Sequence, residues 1–236
     1  MDHAHTRRRW EKIKGAARGG LAVLFVCAAG AAAQVPAIGP SGEIPVSYDP
    51  QSRSAAGLDA LEGRLAQSHP EIPPAAVAKA FGFLRRNPVS NRNYVAIADF
   101  DRPSDEPRLS IINMADGSVE SFLVAHGSGS GGRYATQFSD DGGSHQSSLG
   151  VYLTGEEYQG GHGRSLKLRG MEASNASAEP RGVVLHSAAY VSPEAARSPG
   201  MIGRSWGCPA VSEADRDRII DELHDGAVLL IYHSGQ

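Results

Sequence analysis

Gly203-Arg204-Ser205-Trp206-Gly207-Cys208-Pro209-Ala210-Val211 carries one of only two cysteines in the 236-residue chain. The other, Cys27, lies in an apolar run, residues 21–33, behind a basic segment with Arg7, Arg8, Arg9, Lys12, Lys14 and Arg18. Ala31-Ala32-Ala33 offers small residues for cleavage before Gln34, so residues 1–33 have the three parts of an export signal. The apolar run falls short of the ~20 residues a membrane-spanning helix needs, which favours cleavage over an uncleaved anchor. Cys208 is then the sole cysteine of the exported chain. A lone thiol in an oxidising compartment is inert and buried, paired between molecules, or reactive. Upstream of it, Gly182-Val183-Val184-Leu185-His186 is nearly continuous apolar sequence and reads as a buried strand ending at a histidine. Downstream, Ala227-Val228-Leu229-Leu230-Ile231-Tyr232 reads as a second buried strand.

Residues 1–33 hold six of the 23 Lys/Arg and two of the 26 Asp/Glu, leaving a net charge of −7 on the remainder. Positive charge is thus concentrated in the signal, and no basic stripe marks a nucleic-acid partner. The roughly 200 remaining residues suffice for one domain with its own core. A count of 28 Gly against six Phe and two Trp implies many turns and short strands, not a helical bundle.

Residues 34–56 contain four prolines and no apolar periodicity, and are expected to form a flexible linker. Residues 57–92 are expected to form a short helical segment. Leu58, Leu61 and Leu65 recur at helical spacing, and Val77, Phe81 and Leu84 share one face of a second helix opened by Pro73-Pro74. From residue 93 to 236 the pattern is strand-like. Residues 94–100, 108–114 and 119–126 alternate, with Asp116-Gly117 as a hairpin turn between the last two, and residues 150–154 and 165–168 follow. Ser212, with Asp215 three residues on, caps a helix whose inner face is Ile219, Ile220 and Leu223. The fold class is therefore mainly β with a few short helices. Residues 127–148 are Gly- and Ser-rich, and are expected to be a mobile loop that closes over a substrate.

A thiol near its ordinary pKa of about 8.5 needs a base or hydrogen-bond donors to attack. His186 is the candidate base, and Ser187 is placed to orient its imidazole through the hydroxyl or the backbone carbonyl. The N–H groups of Trp206, Gly207 and Cys208 are candidates for an oxyanion hole, with Ser205 and Arg204 beside them. Each residue taken alone has a structural reading, a small buried Cys or a satisfied strand-end His. Their combination favours chemistry.

His186-Ser187 and Ser205-Trp206-Gly207-Cys208 together resemble the active-site signature of the YkuD-type L,D-transpeptidases, a His, a spacer and Ser/Thr-His-Gly-Cys. Further blocks are similar to the murein L,D-transpeptidase catalytic domain family: Val124-Ala125-His126-Gly127, Ser147-Ser148-Leu149-Gly150-Val151-Tyr152, Gly160-Gly161-His162-Gly163-Arg164-Ser165-Leu166 and Arg181-Gly182-Val183-Val184-Leu185-His186. The resemblance covers residues 75–233. It implies a sandwich or barrel-like β fold and a cysteine enzyme of the cell envelope that needs no cofactor. By this resemblance Cys208 attacks the carbonyl of the third residue of a peptidoglycan tetrapeptide stem, D-Ala leaves, and an amine acceptor resolves the thioester. His186 would be base and acid, Ser187 its orienting partner, and Tyr158 and Tyr190 would line the donor site. Trp206 departs from the family pattern by standing where a His is usual, and is expected to pack beneath the loop. His162, between glycines, could occupy the vacated space, and His126 is a similar candidate.

Three other readings remain open at this level. Water could resolve the same thioester, giving an L,D-carboxypeptidase or amidase. The chain could bind peptidoglycan without catalysis, although a pure binder has little use for a free thiol. Cys208, His186, His162 and His126 are zinc-ligand types, but no local zinc spacing is present.

Overall fold

The computed structural model describes residues 54–197 and 200–235. The expected export signal, residues 1–33, and the expected linker up to residue 53 lie outside them. Helix α1 (Ala55–Ser68) starts two residues earlier than its apolar spacing suggests, because the Ser54 hydroxyl accepts the Gly57 N–H at 3.1 Å. Leu58, Leu61 and Leu65 point inward. Helix α2 (Pro74–Arg86) opens on Pro74, whose fixed φ and missing N–H suit a first turn.

Strands β1 (Tyr94–Asp99), β2 (Leu109–Asn113) and β3 (Val119–Phe122) form an antiparallel meander, and β1 pairs in parallel with the last strand, β9 (Val228–Tyr232). Both faces of β1 and β9 are covered, which explains their near-continuous apolar sequence. Val95, Ile97, Val228 and Leu230 pack under α1 and α2. Ala96, Ala98, Leu229 and Ile231 face a second core that includes Ile219, Ile220 and Leu223 of α4 (Arg216–Leu223). Each fully buried leucine or isoleucine here contributes about 1.5–3 kcal/mol.

The remaining strands are β4 (Val124–Ala125), β5 (Gly150–Gly160), β6 (Gly163–Gly170), β7 (Val184–Ser187) and β8 (Ala210–Val211), with a short helix α3 (Pro193–Arg197) after β7. The nine-stranded sheet has the order β3-β2-β1-β9-β5-β6-β7-β8-β4. Its two edge strands, β3 and β4, are separated in sequence by Leu123 alone, so the sheet curls until its ends approach, in a barrel-like form.

Three features differ from the sequence reading. Residues 119–126 are not one strand: the chain leaves β2 at Phe122 and β4 pairs with β8. The buried Arg108 guanidinium causes the break, taking the Val124 carbonyl through Nε at 3.1 Å and Nη2 at 2.8 Å. Strands β5 and β6 extend well past their apolar cores into a hairpin with a two-residue turn, Gly161-His162. Its outer half is polar and is held by Arg164, bonded to Glu157 at 2.6 and 2.8 Å and to Asp221 at 2.5 Å.

Residues 127–148 are not a free lid. Ser128 N–H donates to Ser205 O, Gly129 N–H to His145 O, Gly127 N–H to Ser147 Oγ and Ser147 N–H to Ser130 Oγ, all within 3.0 Å. A Cβ at Gly129 would stand 2.2 Å from Ser144 O, so that glycine permits close backbone packing, not motion.

Candidate active site

The parallel pairing of β7 with β8 sets His186 opposite Ala210 and Ser187 opposite Val211. Cys208, two residues before Ala210, therefore sits beside Val184, with His186 two residues further along the neighbouring strand. The Val184 N–H reaches Sγ at 3.5 Å, and the thiol donates to the Gly182 carbonyl at 3.8 Å. Burial pushes the Cys208 thiol up from its ordinary value, while the Val184 N–H and the Arg181 guanidinium pull it back. Burial pushes His186 down; its bond to the Ser187 carbonyl opposes this and the neighbouring His162 adds to it. The resting pair is thus a neutral thiol and a neutral imidazole, not a preformed ion pair.

His186 Nδ1 lies 2.9 Å from the Ser187 carbonyl oxygen. A carbonyl only accepts, so Nδ1 carries the proton and Nε2 keeps its lone pair for a proton taken from elsewhere. Ser187 thus orients the imidazole through its backbone, while its hydroxyl reaches His162 O at 3.5 Å. The His162 ring, at the tip of the β5–β6 hairpin, is stacked on His186 with centroids 4.3 Å apart and planes 24° apart.

The turn that carries Cys208 is held by Ser205, whose hydroxyl donates to the Cys208 carbonyl at 2.6 Å and accepts the Gly207 N–H at 3.1 Å. Gly207 N–H is therefore taken, and of the three candidate oxyanion donors it is excluded in this state. Gly207 has φ +118°, and a Cβ there would stand 2.8 Å from Gln146 O. The space beneath the turn is filled by Gln146 and Ser147, so Trp206 does not pack under it. The Trp206 ring is 76% exposed and lies flat on His145, with centroids 4.8 Å and planes 4° apart.

Arg204 is exposed and donates to Gly131 O at 2.9 Å. Tyr190 is half-buried close to Cys208, and its hydroxyl is pushed up by burial first and, when Cys208 ionises, by the thiolate. The Tyr158 ring folds back against Gly160. His126 is not brought to the cleft. It is fully buried, its Nδ1 accepts from Arg108 Nη2 at 2.8 Å, and desolvation with the adjacent guanidinium lowers its pKa to about 4. It serves the site only through its carbonyl, which accepts the Ser205 N–H at 3.0 Å. Among the described residues no group of three His, Cys, Asp or Glu is gathered to hold a metal ion.

Sequence reasoning missed Arg181 and His145. Arg181 Nη1 donates to Ser139 O, Asp140 Oδ1 and Ser148 Oγ, and Nη2 to Gln146 O, at 2.6–3.2 Å. It ties the 139–148 segment to the turn that carries Cys208. A single arginine before an apolar strand carries no signal of that role, and neither does a histidine in a polar loop.

Residues 69–232 match the family model of the L,D-transpeptidase catalytic domain. Among solved structures, the L,D-transpeptidase from Mycobacterium smegmatis is 14% identical, with 60% of this chain and 59% of that one covered and a TM-score of 0.37. L,D-transpeptidase 3 from Mycobacterium tuberculosis is 12% identical over 60% and 61%, with a TM-score of 0.39. The L,D-transpeptidase from Xylanimonas cellulosilytica is 18% identical over 64% and 68%, with a TM-score of 0.36. The chain spans about three fifths of the length of the two mycobacterial proteins. No curated protein matches it in sequence.

Proposed function

The chain belongs to the L,D-transpeptidase catalytic domain family, and on that premise we propose that it transfers peptidoglycan stem peptides through a thioester on Cys208. The observation that supports this reading is the β7–β8 register, which puts Cys208 two residues before the position opposite His186, whose imidazole is held in the tautomer a general base requires. His186 Nε2 takes the Sγ proton as sulfur attacks the carbonyl of the third stem residue. The Ser187 carbonyl stabilises the imidazolium, and with the Gly207 N–H held by Ser205 the Trp206 and Cys208 N–H groups are the donors left for the developing oxyanion. As the C–N bond breaks, His186 returns the proton to the departing D-Ala amine. An acceptor amine then attacks the thioester, the C–S bond breaks, and the amine's proton passes through His186 back to sulfur. The residues 1–33, read as an export signal, support action in the cell envelope, where this substrate lies.

Intact-protein mass spectrometry with a defined disaccharide-tetrapeptide tests the reading. An adduct equal to the donor less D-Ala, absent from Cys208→Ala, is the expected result. Product analysis then separates transfer to an amine from hydrolysis by water. No adduct and no D-Ala release would refute the proposal.

A further inference from the structure

The His162 ring is exposed at a two-residue turn, where it fills no core and supports no other element. It nevertheless lies on His186, a ring only 4% exposed, and its carbonyl accepts the hydroxyl of the residue whose own carbonyl holds His186. Face-to-face contact at 4.3 Å fixes the plane of the buried imidazole. It also brings two proton-accepting rings within a distance at which they cannot both become charged cheaply.

We propose that His162 is a positioning residue for His186: laid on the base from the β5–β6 turn, it fixes the imidazole plane and holds a second basic ring against it. The inference rests on the transpeptidase reading only for its kinetic consequence. His162 pushes His186 down, so it keeps the base neutral, and able to take the thiol proton, further into acid. After attack, the same repulsion makes the His186 imidazolium a stronger acid toward the departing amine.

Other groups around the pair are accounted for. Arg164 of β6 is paired with Glu157 and Asp221. Arg216 of α4 approaches Gly163 and is paired with Asp217. Tyr190 follows β7, and Cys208 and Arg181 lie on the thiol side. His162 is the ionisable ring in direct contact with His186, its centroid 4.3 Å away.

The test compares the wild-type chain with His162→Gln, which removes both ring and charge, and His162→Phe, which keeps only the stacking. Side-chain nitrogen NMR reads the His186 titration directly, without substrate, and D-Ala release against pH reads the reaction. Both variants should move the His186 midpoint and the acid limb of turnover to higher pH, with the rate at the foot of the limb falling about threefold to tenfold. At the plateau, His162→Phe should retain the wild-type kcat and His162→Gln should lose part of it. An unmoved His186 midpoint in both variants would overturn the proposal, as would a moved midpoint with an unmoved acid limb. A wild-type protein without turnover would instead sink the transpeptidase reading, and the NMR arm alone would then decide this one.

Discussion

Replacing Arg181 should damage the site twice, through stability and through the thiol. Its side chain is 8% exposed and holds Asp140, itself 15% exposed, in an ion pair. Arg181→Met removes four donated hydrogen bonds and leaves Asp140 to its bonds from Ser148 Oγ and the Ser177 N–H. A hydrogen bond from a charged group contributes about 1.5–3 kcal/mol, and breaking one side of a buried ion pair costs about 3–5 kcal/mol. The four bonds share one guanidinium and do not add, and part of the segment can relax toward water. A loss of about 2–4 kcal/mol follows. The second effect has a fixed sign. Arg181 opposes the rise that burial imposes on Cys208, so its removal moves the thiol further up and the alkylation profile to higher pH. Arg181→Lys keeps charge but not the planar fork, and should recover more of the alkylation profile than of the stability. Urea denaturation gives the first quantity and iodoacetamide labelling of Cys208 against pH gives the second. A stability change under 1 kcal/mol with an unmoved labelling profile would refute the role assigned to this arginine.

His126 has a pKa of about 4 in the fold against 6.5 for the ordinary side chain. The unfolded chain therefore binds the extra proton between those values, and about 3 kcal/mol of stability should be lost as pH falls from 6.5 to 4; His126→Gln should flatten that part of a stability–pH curve, and an equally steep curve would count against the buried neutral ring. Gly129→Ala places a Cβ against Ser144 O and should lower stability by about 1–3 kcal/mol in thermal melts, whereas a free lid would tolerate it. His186→Gln should leave Cys208 in place yet reduce acylation by about 10²–10⁴-fold, and wild-type acylation should fall as pH drops through the depressed His186 value; a flat acid side would remove His186 as the base. Ser205→Ala should cost about 1–3 kcal/mol by leaving the Gly207 N–H without its acceptor, measurable by denaturation beside Gly207→Ser as a backbone control.

Much of the chain's architecture was legible without coordinates. Period-two and continuous apolar runs located β1, β2, β7 and β9, and helical spacing located α1, α2 and α4, because in each the burial pattern is written in the side chains themselves. The outer half of the β5–β6 hairpin was not legible. Its residues are polar and its support comes from Arg164 reaching Asp221, 57 positions away. The division between β3 and β4 was hidden for the same reason, since the cause is Arg108, just before β2, reaching the Val124 carbonyl 16 positions on.

At the site, residue types and order pointed to Cys208, His186 and Ser187, because a thiol in a Gly-Cys-Pro turn and a histidine at the end of an apolar run are chemical facts of the chain. Their electrostatics belong to the fold. Burial makes both groups neutral, Ser205 removes the Gly207 N–H from the oxyanion set, and the crowding of Gln146 and Ser147 turns Trp206 outward onto His145. His126 and His162 look alike in sequence, each beside a glycine. One is sealed against Arg108 and the other is laid on His186, and only the pairing of strands distant in the chain separates them. Sequence by itself determined the family and the strand-rich fold and named the candidate reacting residues, since these depend on local pattern and on chemical identity. Tertiary structure decided which protons sit where and which ring faces which, since those depend on desolvation and on contacts between distant residues.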